Sequence, residues 1–113
     1  MSLGRIGESR AQEMLIKRGM KIIDRNWRSR YGEVDIIAKD GDVVVFVEVK
    51  TKSSGKFGEP WEMVGAWKRE QVKRMGEMWC QEYEWEGSVR MDVIGLIIDP
   101  KGNVEDEQYY VGV

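Results

Sequence analysis

The sequence predicts an α/β domain, a mixed β-sheet with helices packed on it, in the order αβββαββ. Three observations carry that prediction. Apolar residues recur at helical spacing in two stretches, one near the start and one in the middle of the chain. Runs rich in β-branched residues lie between and after them, broken by turn sequences at Asp40-Gly41 and at residues 99–103. The 113 residues are enough for one hydrophobic core and too few for two, so residues 1–113 read as a single domain.

From about Arg5 to Arg18, Ile6, Ala11, Met14 and Leu15 recur at helical spacing, and Gly19 supplies the stop. Met20 to Asp24 reads as a short first strand, followed by a polar, basic loop from Arg25 to Gly32 that carries Trp27 and Tyr31. Glu33 to Lys39 is a second strand, closed by a two-residue hairpin turn at Asp40-Gly41. Val43 to Lys50 is nearly continuous in β-branched and aromatic residues, the pattern of a central strand covered on both faces. Thr51 to Glu59, rich in Ser, Gly and Lys, reads as a mobile loop. Pro60 suits the first turn of a long amphipathic helix. That helix sets Val64, Trp67, Val72, Met75, Met78, Trp79 and Tyr83 on one side and ends at Gly87. Most of Trp61, Trp67, Trp79 and Trp85 are expected in the core with Met63, Met75 and Met78 filling gaps beside them, and Cys80 is expected to be a small buried residue. Val89 to Ile98 and Val104 to Val111 complete the strands.

Composition narrows the chemistry. There is no His, which excludes His-based acid/base catalysis and His metal sites, and a single Cys cannot form an internal disulfide or a Cys-based zinc site. Catalysis would fall to carboxylates, Lys, Arg, Tyr and hydroxyls, and a bound metal would be a hard cation held by oxygen, Mg2+ or Mn2+. The longest apolar run, Val43 to Val47, is far short of the roughly 20 residues that span a bilayer. The N-terminus lacks the apolar core of a secretory signal, so the expected compartment is the cytoplasm. The net charge of −2 is unevenly spread. Residues 1–30 hold eight basic against three acidic side chains, and residues 59–86 hold four against seven. The basic end is a candidate phosphate-facing surface.

The sequence becomes specific at GEVD (32–35) and EVK (48–50). Residues two apart on a strand share a face, so Glu33 groups with Asp35 and Glu48 with Lys50. A turn at Asp40-Gly41 pairs Glu33 with Glu48 and Asp35 with Phe46. On that register Asp35 and Glu48 are diagonal neighbours on one face, roughly 7 Å apart at the backbone. Like charges there repel unless a divalent cation lies between them. Lys50 would stand beside that cation, where an ammonium can orient a water and stabilise developing negative charge. Glu8 shares a helix face with Ala11 and Leu15, at the edge of the core-facing stripe. Asp92 reads as the partner of Arg90 or as a charge at a sheet edge.

Several segments together resemble a known family. Gly7-Glu8, RNWRSRYGEVDIIAKDGD (25–42), VVFVEVKTK (44–52), Lys68-Arg69 and VRMDVIG (89–95) are similar to the YraN family, small bacterial proteins described as endonuclease-like. The GEVD-to-FVEVK segment also resembles the PD-(D/E)XK nuclease core, with spacing similar to archaeal Holliday-junction resolvases. The resemblance covers nearly the whole chain and implies a restriction-endonuclease-like fold. It implies Asp35 and Glu48 as metal ligands, Lys50 as the catalytic lysine, and Glu8 as the counterpart of the resolvases' helix-one glutamate. Val34 stands where the PD motif has Pro, and Lys52 where the YraN family often has Arg.

The expected function is therefore a Mg2+- or Mn2+-dependent endonuclease acting on nucleic acid, DNA with a branched structure first. Glu8 would reach the metal through a second water. Arg25, Arg28, Arg30, Lys52 and Lys56 would grip phosphates, and Trp27 and Tyr31 would stack on an unpaired base unless they pack in the core. Cutting two strands of a junction would call for a symmetric homodimer. Two alternatives compete: a nucleic-acid-binding or scaffold protein that keeps the fold without cutting, and a protein-interaction module built on the aromatic residues of the second helix.

Overall fold

The computed structural model describes residues 2–54 and 65–113. Helix α1 (Leu3–Lys17) leads into strands β1 (Lys21–Ser29), β2 (Gly32–Asp40) and β3 (Val43–Ser53). Helix α2 (Ala66–Glu82) then precedes strands β4 (Ser88–Ile98) and β5 (Val104–Tyr110). The αβββαββ order is the predicted one. The five strands lie in sequence order in one sheet, antiparallel except for the parallel pair β3–β4 that α2 connects.

Strand β3 alternates its side chains between two cores. Val45 and Val47 pack with Ala11, Met14 and Leu15 of α1 on one face. Val44 and Phe46 pack with Val72, Met75 and Trp79 of α2 on the other. The sheet is thus sandwiched between the helices, which explains the near-continuous apolar run of β3. Both helices approach closely. A Cβ at Gly7 would collide with the Thr51 side chain, and one at Gly76 would lie 3.0 Å from the Phe46 ring. Phe46 and Trp79 meet edge to face with centroids 5.8 Å apart.

Several boundaries differ from the sequence expectation. The basic stretch expected as a loop continues β1 to Ser29, because β1 is an edge strand whose outward positions tolerate Arg25 and Arg28. The β2–β3 turn falls one residue later: Asp40 pairs with Val43, and Gly41 takes φ +60° at the first loop position, as a primed turn requires. Strand β3 runs through Ser53, so the start of the expected loop at 51–59 is strand; β4 extends in parallel register beside it to Ser53↔Ile98.

Helix α2 starts after Gly65 and ends at Glu82, short of Gly87. Its end is followed by Glu84 in a left-handed conformation. The buried stripe is Val72, Met75, Gly76 and Trp79. Trp67 lies about 140° around the helix from Val72, from five steps of 100° each, and is 77% exposed. Tyr83, just past the helix end, rests its ring on Trp79 but is also exposed. Trp85 is partly buried, and so is Cys80, which was expected to be buried. The remainder of the expected 51–59 loop, with Lys56, and the positions Pro60, Trp61, Met63 and Val64 lie outside the described residues. No helix among the described residues is long and apolar enough to cross a membrane.

Candidate functional site

The observed β2–β3 register pairs Ile36 with Val47 and Ile37 with Phe46. Counting one further places Asp35 opposite Glu48, two positions from the register expected with a turn at Asp40-Gly41. An even displacement leaves every side chain on its face, so the two carboxylates still meet. They meet where the β2–β3 ladder ends, and the Val49 amide donates to Asp35 Oδ2 at 2.7 Å instead. That bond holds the Asp35 carboxylate between the strands.

Glu48 is buried, 4% exposed, on the α2 face of the sheet. Its Oε1 lies 3.8 Å from the ammonium of Lys68 in the first turn of α2. Its Oε2 is buried with no hydrogen-bond partner among the described residues. A buried unpaired carboxylate oxygen carries the full desolvation penalty, which is why such atoms are rare in native structures. Burial first, and the Asp35 charge second, push the Glu48 carboxyl up to about 7; Lys68 and Lys50 pull against that rise. Burial also raises Asp35, opposed by the Val49 amide and added to by Glu33. Lys50, two residues beyond Glu48 on the same face, is half-buried and acts on both carboxylates.

A second group adjoins the first. Glu8 of α1 is partly buried, and its carboxyl is raised by burial and then by the charges of Asp35 and Glu33. The close seating of Gly7 on Thr51 brings this turn of α1 down onto the sheet. Between Glu8 and Glu33 stands Asn26. With its amide nitrogen turned toward the acids, it donates to Glu8 Oε1 at 2.7 Å and Glu33 Oε1 at 2.9 Å. Arg28 Nε closes the group at 2.6 Å from Glu33 Oε2.

The predicted residues thus fall into two sets. Asp35, Glu48 and Lys50 come together as expected, with Glu8 at their border. Asn26, Glu33 and Lys68 carry no predicted role in the site, although all three lie in segments that resemble the family and Glu33 shares a strand face with Asp35. Among the proposed phosphate contacts, Arg28 is engaged by Glu33, and Arg30 lies over the Tyr31 ring, 5.0 Å from its centroid. Arg25 is exposed, and Lys52 is half-buried at the end of β3. Trp27 packs into the α2-side core; Tyr31 is exposed. Asp92 is fully buried and pairs with Arg90, as expected, but on the interior strand β4 and not at a sheet edge. It also accepts hydrogen bonds from Tyr109 at 2.6 Å and the Gly112 amide at 2.9 Å.

The donor set bears on which ion would fit. Among the described residues no three Asp, Glu or Cys side chains converge into a ready-made cation cage. What they offer is a two-carboxylate seat, Asp35 and Glu48, with an unpartnered buried oxygen. A hard divalent cation that keeps several waters suits so small a set of oxygen ligands.

Comparison with known proteins identifies the group. The model of the uncharacterised protein family UPF0102 matches residues 7–96. The chain belongs to the UPF0102 family. This is the YraN family whose segments the sequence resembles. A UPF0102 protein of Streptomyces griseus is 43% identical over 103 residues, 89% of this chain and 87% of its own length. Another, from Rhodococcus opacus, is 46% identical over 99 residues, covering 87% and 84%. A third, from Dictyoglomus turgidum, is 36% identical over 108 residues, covering 95% and 92%. The residues that build the site, from Glu8 to Lys68, all fall within the matched region.

Proposed function

We propose that this UPF0102 protein is a divalent-cation-dependent phosphodiester hydrolase acting on nucleic acid, DNA with a branched or unpaired structure first. The observation that carries the reading is Glu48: a buried carboxylate facing Asp35, with one oxygen unpartnered among the described residues. Such an arrangement is costly unless something positive joins it. Bound Mg2+ or Mn2+ would polarise a phosphate oxygen and lower the pKa of its water. Asp35 and Glu48 would hold the ion, and the Val49 amide fixes the orientation of Asp35. Lys50 would orient the attacking water and offset charge developing on the phosphate. Glu8 would accept a hydrogen bond from a water in the cation's outer shell. Arg25, Arg30, Lys52 and Lys56 are the candidate phosphate contacts, and the compartment consistent with this role is the cytoplasm.

One observation favours a second reading. Lys68 already brings an ammonium to 3.8 Å from Glu48 Oε1. If that ammonium supplies all the positive charge the seat needs, the protein binds nucleic acid or a partner without cutting. The deciding experiment mixes purified protein with labelled four-way junction, duplex and single-stranded DNA in Mg2+, Mn2+ or chelator. Folded Asp35→Ala and Glu48→Ala variants run alongside. Cation-dependent cleavage lost in both variants is expected. DNA binding without cleavage would move the assignment to the non-catalytic reading, and activity retained in Asp35→Ala would sink the site.

A further inference from the structure

Asn26 lies in the interior of β1 with φ +52°, in the left-handed region. Its strand neighbours Arg25 and Trp27 pair with Ile36 and Val34, so counting inward sets Asn26 opposite Asp35. Asp35 in turn stands opposite Glu48, so Asn26, Asp35 and Glu48 occupy one rung across three adjacent strands. Non-glycine residues rarely adopt this conformation, and when they do it is commonly at functional sites.

The side chain gives a reason for the backbone. Asn26 bridges Glu8 Oε1 and Glu33 Oε1 although solvent reaches it. Those acids come from different elements, α1 and β2, and without a donor between them would repel. Few residue types meet both demands. Gly adopts the left-handed conformation but brings no amide, and Asp adopts it but adds a third negative charge. Only Asn combines tolerance of that φ with two N–H donors at the end of so short a side chain.

We propose that Asn26 is a positioning residue of this centre: its amide fastens Glu8 of α1 to Glu33 of β2 and holds the Glu8 carboxylate at the edge of the Asp35–Glu48 seat. This rests on the reading of Asp35 and Glu48 as a cation site. Asn26 itself touches no reacting atom. It acts through Glu8, as outer hydrogen bonds act on the ligands of metal sites, where their loss weakens metal affinity by about 10–100-fold.

The test is Mn2+ binding by calorimetry on metal-free protein, which needs no turnover. Asn26→Gly keeps the backbone conformation and deletes the bridge. Its dissociation constant for Mn2+ is expected to rise roughly tenfold over wild type, with little change in thermal stability. Glu8→Gln keeps an acceptor for Asn26 but removes the charge, and is expected to weaken Mn2+ similarly. In the double variant the losses should not add, because both act through the same carboxylate. An unchanged dissociation constant in either single variant overturns the proposal while leaving the cation site intact. Fully additive losses overturn it too, since Asn26 would then act by another route. If wild type binds no Mn2+, the cation-site reading itself fails and the positioning role falls with it.

Discussion

Replacing Glu48 with Gln should make the metal-free protein more stable at alkaline pH, although it removes a charge that faces Lys68. The carboxyl is raised from an ordinary 4.5 to about 7, with burial the first cause and Asp35 the second. The folded state therefore binds this proton more tightly than the unfolded chain does. The corresponding stability is fully present below about pH 4.5 and is lost as pH rises through 7. At 1.36 kcal/mol per pKa unit the loss approaches about 3 kcal/mol by pH 8. The amide of the Glu48→Gln variant would be neutral throughout and escape it. For a domain of this size, 1 kcal/mol moves the melting temperature by about 4 °C, so the variant should gain on the order of 10 °C relative to wild type between pH 5 and pH 8. Thermal melts of both proteins at the two pH values, in chelator, measure this directly. Saturating Mg2+ should then narrow the gap by stabilising wild type alone. A melting difference that does not change with pH would refute the argument that Glu48 is held uncompensated.

Three further outcomes follow from the packing. Gly7→Ala forces α1 away from Thr51 and should cost about 1–3 kcal/mol in urea unfolding, as overpacked contacts do. Asp92→Ala removes the acceptor shared by Arg90, Tyr109 and the Gly112 amide and should cost about 3–5 kcal/mol; a cost below about 1 kcal/mol would mean Arg90 finds full compensation in Asp40. Trp67→Ala should leave stability within about 0.5 kcal/mol, whereas Trp79→Ala should lose about 3–5 kcal/mol, so equal losses would contradict the assigned burial.

The parts of this fold legible in the sequence are those set by periodicity. Strand β3 and the α1 stripe are apolar wherever they are buried, and residues two apart on a strand share a face whatever the register. For that reason the association of Asp35 with Glu48 survived a turn placed one residue early. The missed features belong to other causes. Strand β1 is polar because it is an edge, and a polar run of residues gives no period to read. Trp67 was grouped with the core because its hydrophobicity outweighed its position on the helix. Lys68 and Asn26 reach the site through tertiary placement alone, one from the start of α2 and the other through a backbone angle that no pattern of hydropathy encodes.

The order of strands along the sheet also sets an order in time. Asp35 and Glu48 belong to one antiparallel hairpin, which closes over a two-residue loop and depends on no distant part of the chain. Lys68 arrives with α2, whose docking is coupled to the parallel β3–β4 pairing and to a much longer closure. During folding the two carboxylates are therefore expected to meet before their partner ammonium is in place. Mild acid, by protonating one of them, should speed refolding more than it slows unfolding. Stopped-flow chevrons at pH 5.5 and 8 would reveal this in the folding arm, and a pH effect confined to the unfolding arm would place the carboxylate contact after the rate-limiting step.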